Sequence, residues 1–207
     1  LAPGYRPPQD QAVLRELLRD GLADRLPVRD YRQWLQTLPD EVRAQLVQRW
    51  GEPERSTMVL RDDNEEGGEA YFVIPRLQRG HVTLLPQPGR AERGEDREKA
   101  LYHSTTALPS HYYLAVYLWL RQGFGADALL HFGTHGTQEW LPGKERGLSV
   151  TDWPMLAVGD VPVLYPYIVD NIGEATQAKR RGRAVIISHQ TPPLTPAGLH
   201  DRLTQIH

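Results

Sequence analysis

The sequence predicts an α/β fold: a layered unit with a mixed, partly parallel sheet and flanking helices, preceded by a small helical subdomain. Three observations predict it. The N-terminal third spaces its apolar residues three and four apart, as amphipathic helices do. About the last hundred residues alternate short apolar runs with helical segments, the pattern of strands joined by crossover helices. Within the latter region the run Ala128-Leu129-Leu130 passes straight into a glycine-rich stretch, His131-Phe-Gly-Thr-His135-Gly-Thr-Gln-Glu139-Trp-Leu-Pro-Gly-Lys144. A strand ending in such a loop is where α/β sheets place their ligands.

Residues 1–9 read as an extended arm. Asp10 suits an N-cap, and Val13, Leu14, Leu17, Leu18 and Leu22 follow it at helical spacing. A second helix over 29–38 carries Tyr31, Trp34 and Leu35, and a third follows Pro39 with Val42, Leu46, Val47 and Trp50 before Gly51 and Pro53 stop it. These helices make up a segment 1–55, and the α/β core spans 56–207. Within the core, 61–69 is an acidic loop, and 71–77 and 82–85 read as strands of a hairpin turning at Arg79-Gly80. A polar loop over 86–100 leads to the most apolar helix, 109–123. Strands are expected at 126–131, 161–164, 167–169 and 184–188, the last of them buried, with a helix over 173–182. Pro192, Pro193 and Pro196 mark a loop exit, and a helix begins at 197.

Composition narrows the function classes. With 207 residues, 40% apolar and 24% charged, the chain is long enough for one sizeable core or two small ones. A net charge of -2 supplies no basic field for wholesale nucleic-acid binding. No apolar run approaches the roughly 20 residues that span a bilayer, and no signal-peptide pattern opens the chain; the absence of cysteine fits a cytoplasmic protein. With no cysteine, any metal must be held by nitrogen and oxygen ligands. The chain opens at Leu1 in Pro-rich sequence and reads as an excised piece of something longer.

The glycine-rich stretch concentrates the chemistry. His131, His135 and Glu139 recur every four residues, but Gly133 and Gly136 argue against a continuous helix and for a strand end, a turn and a short helix. Imidazole and carboxylate together either hold a borderline metal ion and move protons, or simply hydrogen-bond to loop backbone. The spacing fits neither a P-loop nor a His-Glu-x-x-His zinc site. His103 and His111 flank the start of the apolar helix, where free backbone N–H groups can meet a carboxylate; His111 is otherwise a cap or an exposed bystander. Glu174 and the cations Lys179, Arg180 and Arg181 sit at opposite ends of one helix, which complements its dipole; alternatively the cations meet substrate carboxylates. Trp140, Trp153, Tyr165 and Tyr167 are core residues or the walls of a flat apolar ligand.

The stretch 131–144 resembles the large subunit of class I metal chelatases, the family of the cobaltochelatase CobN subunit and the magnesium chelatase H subunit. The likeness extends through Asp160-Val-Pro-Val-Leu-Tyr-Pro-Tyr-Ile-Val-Asp-Asn-Ile-Gly-Glu-Ala-Thr-Gln-Ala-Lys-Arg-Arg, Arg183-Ala-Val-Ile-Ile-Ser and Thr191-Pro-Pro-Leu. Upstream it takes in Tyr102-His-Ser, Leu108-Pro-Ser-His and Tyr113-Leu-Ala-Val-Tyr-Leu-Trp-Leu-Arg. It covers 70–207 well and the N-terminal helices weakly, leans to the cobalt branch, and departs at Gln138, where an apolar residue is expected. The resemblance implies an internal fragment of a tetrapyrrole-binding subunit that inserts Co²⁺, or less readily Mg²⁺, into a corrin or porphyrin precursor (hydrogenobyrinic acid a,c-diamide or a protoporphyrin-like ring). It implies AAA+ ATPase and von Willebrand-type partner subunits that hydrolyse ATP in this chain's stead. Glu139 and His135 would then be catalytic, His131, His135 and Glu139 would stage the metal, and His103, His111, Lys144, Glu174 and Arg180 would contact the macrocycle. The other readings are a non-catalytic metal- or tetrapyrrole-binding module and a stand-alone metal-dependent hydrolase.

Overall fold

The Asp10 carboxylate accepts a hydrogen bond from the Ala12 N–H at 2.9 Å and opens helix α1 (Gln11–Arg19), as the sequence predicts. The computed structural model describes residues 10–62, 68–91, 104–132, 136–166 and 171–188. After α1 comes a strand that the helical reading of this segment missed, β1 (Ala23–Pro27). Only Ala23 and Leu26 of that charged pentapeptide turn fully inward. Its strand state comes from its partner, β3 (Ala70–Pro75), with which it pairs antiparallel from Ala23 opposite Pro75 to Pro27 opposite Tyr71. β2 (Val59–Arg61) pairs with the other edge of β3, giving the order β1-β3-β2. Tyr71, Phe72, Val73 and Ile74 are all buried, because both faces of this central strand are covered.

Helices α2 (Val28–Gln36) and α3 (Asp40–Trp50) bury Tyr31, Trp34, Leu35 and Leu46 in the same core. Gly51, at φ 76°, ends α3 in a conformation open to glycine. The predicted 71–85 hairpin divides in two. β3 belongs to the three-stranded sheet, and a separate ribbon of β4 (Leu77–Arg79) and β5 (Val82–Leu84) turns at Gly80. Arg76 anchors the junction, its guanidinium donating to both Asp24 carboxylate oxygens at 2.8 and 2.9 Å.

Helix α4 (His111–Leu118) is the centre of the molecule. All eight of its residues are buried, and it is apolar around its whole circumference, as a helix enclosed on every side must be. The Ser110 hydroxyl caps it by accepting from the Tyr113 N–H at 3.1 Å. A π-helical turn, Trp119–Gly123, extends it. It packs on β3 and on α5 (Trp153–Val158), a short helix absent from the sequence reading.

The second sheet is parallel, with β7 (Val163–Pro166) between β6 (Leu129–Leu130) and β8 (Ala184–Ile187). Helix α6 (Ile172–Arg181) makes the β7–β8 crossover. The strand expected at 184–188 forms, but among the described residues it is an edge and is not buried throughout: Val185 and Ile187 are 60% and 47% exposed. The strand expected at 167–169 and everything beyond 188 lie outside the described residues. No helix among the described residues is long and apolar enough to cross a membrane.

Candidate functional site

The C-terminal ends of β6 and β7 define one place in the molecule. The His131 N–H donates to the Leu164 carbonyl at 2.9 Å, so the ladder runs one residue past β6 and His131 leaves the sheet at its end. Beside it, a single 3₁₀ turn, Gln138–Trp140, carries Glu139 with only 1% of its surface exposed. Tyr165 of β7 and Glu174, in the first turn of α6, are buried as well. Burial pushes the Tyr165 phenol up to about 12, and the charges of Glu174 and Glu139 both add to that rise. Two buried carboxylates thus flank one tyrosine. Carboxylates are hard oxygen donors, the kind of group that can attract a cation.

The turn is held by donors from below. Buried Arg181, on the last turn of α6, donates through Nε to the Glu139 carbonyl at 2.7 Å and through Nη2 to the Leu141 carbonyl at 2.6 Å. Its Nη1 donates to the Lys144 carbonyl. Burial lowers the Arg181 pKa, with Asp152 and Glu145 acting in the opposite direction. Gln138 is fully buried and donates to the Pro154 carbonyl at 2.7 Å, tying the turn to α5. On the carboxylate side, a Cβ at Gly136 would stand 2.5 Å from each Glu139 oxygen. Gly136→Ala is therefore expected to displace the confined carboxylate, and in the metal insertion proposed below to slow turnover on the order of 100-fold. Turnover of the purified variant, set beside an unchanged denaturation midpoint, checks it.

On the α4 side, Tyr117, Tyr113, Thr137 and Gln87 form a hydrogen-bonded group whose outermost contact is Tyr117 Oη to His131 Nε2 at 3.3 Å. Burial pushes the Tyr117 phenol up to about 12; hydrogen bonds from Tyr113 and Gln87 pull it down, and the Glu139 charge raises it. Burial takes the His131 imidazole down to about 4, so it is neutral at pH 7. The unfolded chain binds this proton below about pH 6.5 and the folded chain only near 4, so stability falls as pH drops between those values. The expected loss is roughly 3 kcal/mol, and it should shrink in His131→Gln when denaturation midpoints are measured from pH 7 to 4.

The structure thus sets Glu139 and Glu174 within electrostatic reach of Tyr165, and Tyr117 between His131 and the charge of Glu139. It does not bring His111 to them. That imidazole is buried at the start of α4, with Nδ1 2.9 Å from the Tyr31 hydroxyl and Nε2 2.9 Å from the Gly51 carbonyl. There it links α4 to the N-terminal helices. The side chains of Lys144 and Arg180 are exposed, and the Lys144 backbone serves Arg181 and, at 3.4 Å, Asp152. His103 and His135 lie outside the described residues. Among the described residues no group of three or more His, Asp or Glu is arranged to hold a metal. Sequence reasoning missed Tyr117, Thr137 and Gln87 entirely. It also missed that Arg181 is the one buried cation of its run, although Glu174, Ala178 and Arg181 form an i, i+4, i+7 stripe that could have singled it out.

A sequence model described as CobN/Magnesium Chelatase matches residues 5–207. The chain is 42% identical, over 85% of its length, to the aerobic cobaltochelatase subunit CobN of Sinorhizobium sp., and covers 13% of that protein. It is 43% identical, over 69% of its length, to the magnesium chelatase H subunit of Rhodobacter capsulatus, of which it covers 12%. Its fold superposes on the catalytic subunit of cobaltochelatase from Mycobacterium tuberculosis with a TM-score of 0.71 and 38% identity, covering 94% of this chain and 17% of that one. The chain thus spans between about an eighth and a sixth of the length of these relatives. On these matches, and with the mixed α/β fold they share, the chain belongs to the CobN/magnesium chelatase family.

Proposed function

We propose that this chain is part of the tetrapyrrole-binding catalytic subunit of an ATP-dependent metal chelatase, and that Glu139 is the base of the insertion reaction. The observation that carries the reading is the Glu139 carboxylate, buried past the ends of the parallel strands with Glu174 sharing its tyrosine neighbour. Insertion exchanges two ring N–H protons for one divalent ion, so it needs acceptors for two protons and a negative site that the ion enters while shedding water. Glu139 and Glu174 supply two carboxylates. His135, four residues before Glu139 in the sequence, adds an imidazole, a donor that suits Co²⁺ better than Mg²⁺. Lys144 and Arg180, both exposed, would meet peripheral carboxylates of the macrocycle. ATP is hydrolysed by separate AAA+ and von Willebrand-type subunits, which act on the macrocycle-binding subunit.

The test is metal insertion by the complete subunit with tetrapyrrole, partner subunits and ATP, followed by the absorbance of the metallated ring. Insertion of Co²⁺ that needs both partners and ATP is expected, with Mg²⁺ the poorer substrate. Tetrapyrrole binding with no insertion under any of these conditions would leave a binding module, and ester or amide hydrolysis with added Zn²⁺ would make the site a hydrolase.

A further inference from the structure

The polar group beside α4 has a direction, and the direction reaches His131. Gln87 spends both of its side-chain N–H bonds there, donating from Nε2 to Thr137 Oγ1 at 2.9 Å and to Tyr117 Oη at 3.3 Å. Tyr113 donates its hydroxyl hydrogen to Tyr117 Oη at 3.4 Å. At the 2.9 Å contact between Tyr113 Oη and Thr137 Oγ1 either hydroxyl can donate, and with the Tyr113 hydrogen on Tyr117 the donor there is threonine. Tyr117 Oη now accepts from Gln87 and from Tyr113, which uses both of its lone pairs. Its one hydrogen has a single partner left among the described residues, His131 Nε2 at 3.3 Å. That nitrogen must accept.

We propose that Tyr117 is a positioning residue for this site: it holds His131 in the tautomer protonated on Nδ1, so that His131 offers the tetrapyrrole a hydrogen-bond donor and is not a ligand of the incoming metal ion. The proposal rests on the functional reading above and replaces one assignment that the family resemblance suggested, His131 as a metal ligand. A ring nitrogen that accepts from Tyr117 has no lone pair for a cation, and the other nitrogen carries the proton. Tetrapyrrole side chains end in carboxylates or amides, whose oxygens are acceptors for such an N–H. Moving the proton to Nε2 would set two hydrogens against each other or strip Tyr117 of a donor, which favours the Nδ1–H form by about tenfold or more. Thr137 lies two residues before Glu139, so the same hydrogen bonds couple the turn bearing the base to the ring bearing the donor.

The test is ¹⁵N–¹H correlation spectroscopy of the protein carrying ¹⁵N-labelled histidine, with His131 assigned by its loss in His131→Gln. Wild type should show a protonated Nδ1 and a bare Nε2. In Tyr117→Phe the Nε2–H form should become substantially populated, with the KM for tetrapyrrole raised about tenfold and the Co²⁺ dependence of insertion unmoved. A protonated Nε2 in wild type would overturn the proposal, even if the Tyr117 variant did not fold. So would an unchanged tautomer in a folded Tyr117→Phe, or a His131 resonance contact-shifted by added Co²⁺. The tautomer is read without turnover, so loss of the chelatase reading and loss of this inference give different results.

Discussion

Glu139→Gln is expected to lower metal insertion by about 10²- to 10⁴-fold, the usual contribution of a positioned base, while tetrapyrrole binding stays within about threefold. The substitution keeps the volume and removes the charge. Arg181 holds the turn by the Glu139 carbonyl, which glutamine also has, so the backbone keeps its place. The charge, by contrast, acts on its surroundings: it opposes ionisation of both Tyr117 and Tyr165. Both phenols should therefore ionise at lower pH in the variant, which spectrophotometric titration can follow. A fall in turnover with a shift in tyrosine ionisation and no change in binding identifies an electrostatic and proton-accepting role. Unchanged insertion would remove Glu139 as the base.

Arg181→Met is expected to cost about 3–5 kcal/mol of stability, at the high end for a single substitution. Three carbonyls, the buried ones of Glu139 and Leu141 and the part-buried one of Lys144, lose their side-chain donor together. Each buried acceptor left without a donor costs about 1–3 kcal/mol, partly recovered by relaxation of the loop and by relief from burying a charge. Methionine replaces most of the apolar stem, so the loss is one of hydrogen bonding rather than volume. Arg181→Lys is expected to recover little, because one ammonium does not span three separated carbonyls as a planar guanidinium does. Urea midpoints measured at constant m value check both variants. The Arg181 substitutions should also lower insertion, since the same clamp fixes the turn that bears Glu139.

Much of the fold was legible because its signals are local. The Asp10 cap, the Gly51 stop, the apolar helix after Ser110 and the crossover helix after β7 all follow from residues adjacent in sequence. β1 was not legible, since its conformation is set by pairing with residues almost fifty positions away. β8 showed the opposite failure. Its Ala-Val-Ile-Ile composition reads as an interior strand, but whether a parallel strand is central or an edge depends on strand order, which sequence does not state. At the candidate site, the glycines around 131–143 singled out the loop that carries Glu139, while the approach of Glu139 and Glu174 to one tyrosine depends on β7 and α6 and could not be read from it. His111 drew attention for its residue type, yet its surroundings come from α2 and the end of α3, sixty to eighty residues earlier. The tyrosines of α4 were hidden for a related reason: on a helix apolar all round, no pattern distinguishes the hydroxyls that face the site.

The central claim is that Glu139 and Glu174 form the anionic site that receives the substrate metal. Anomalous diffraction at the cobalt edge, from crystals of the complete subunit soaked with Co²⁺, tests it most directly. The expected result is a peak within about 2.5 Å of a Glu139 or Glu174 carboxylate oxygen, lost in Glu139→Gln. A fully occupied cobalt site elsewhere in the subunit, with no density at either carboxylate, would contradict it.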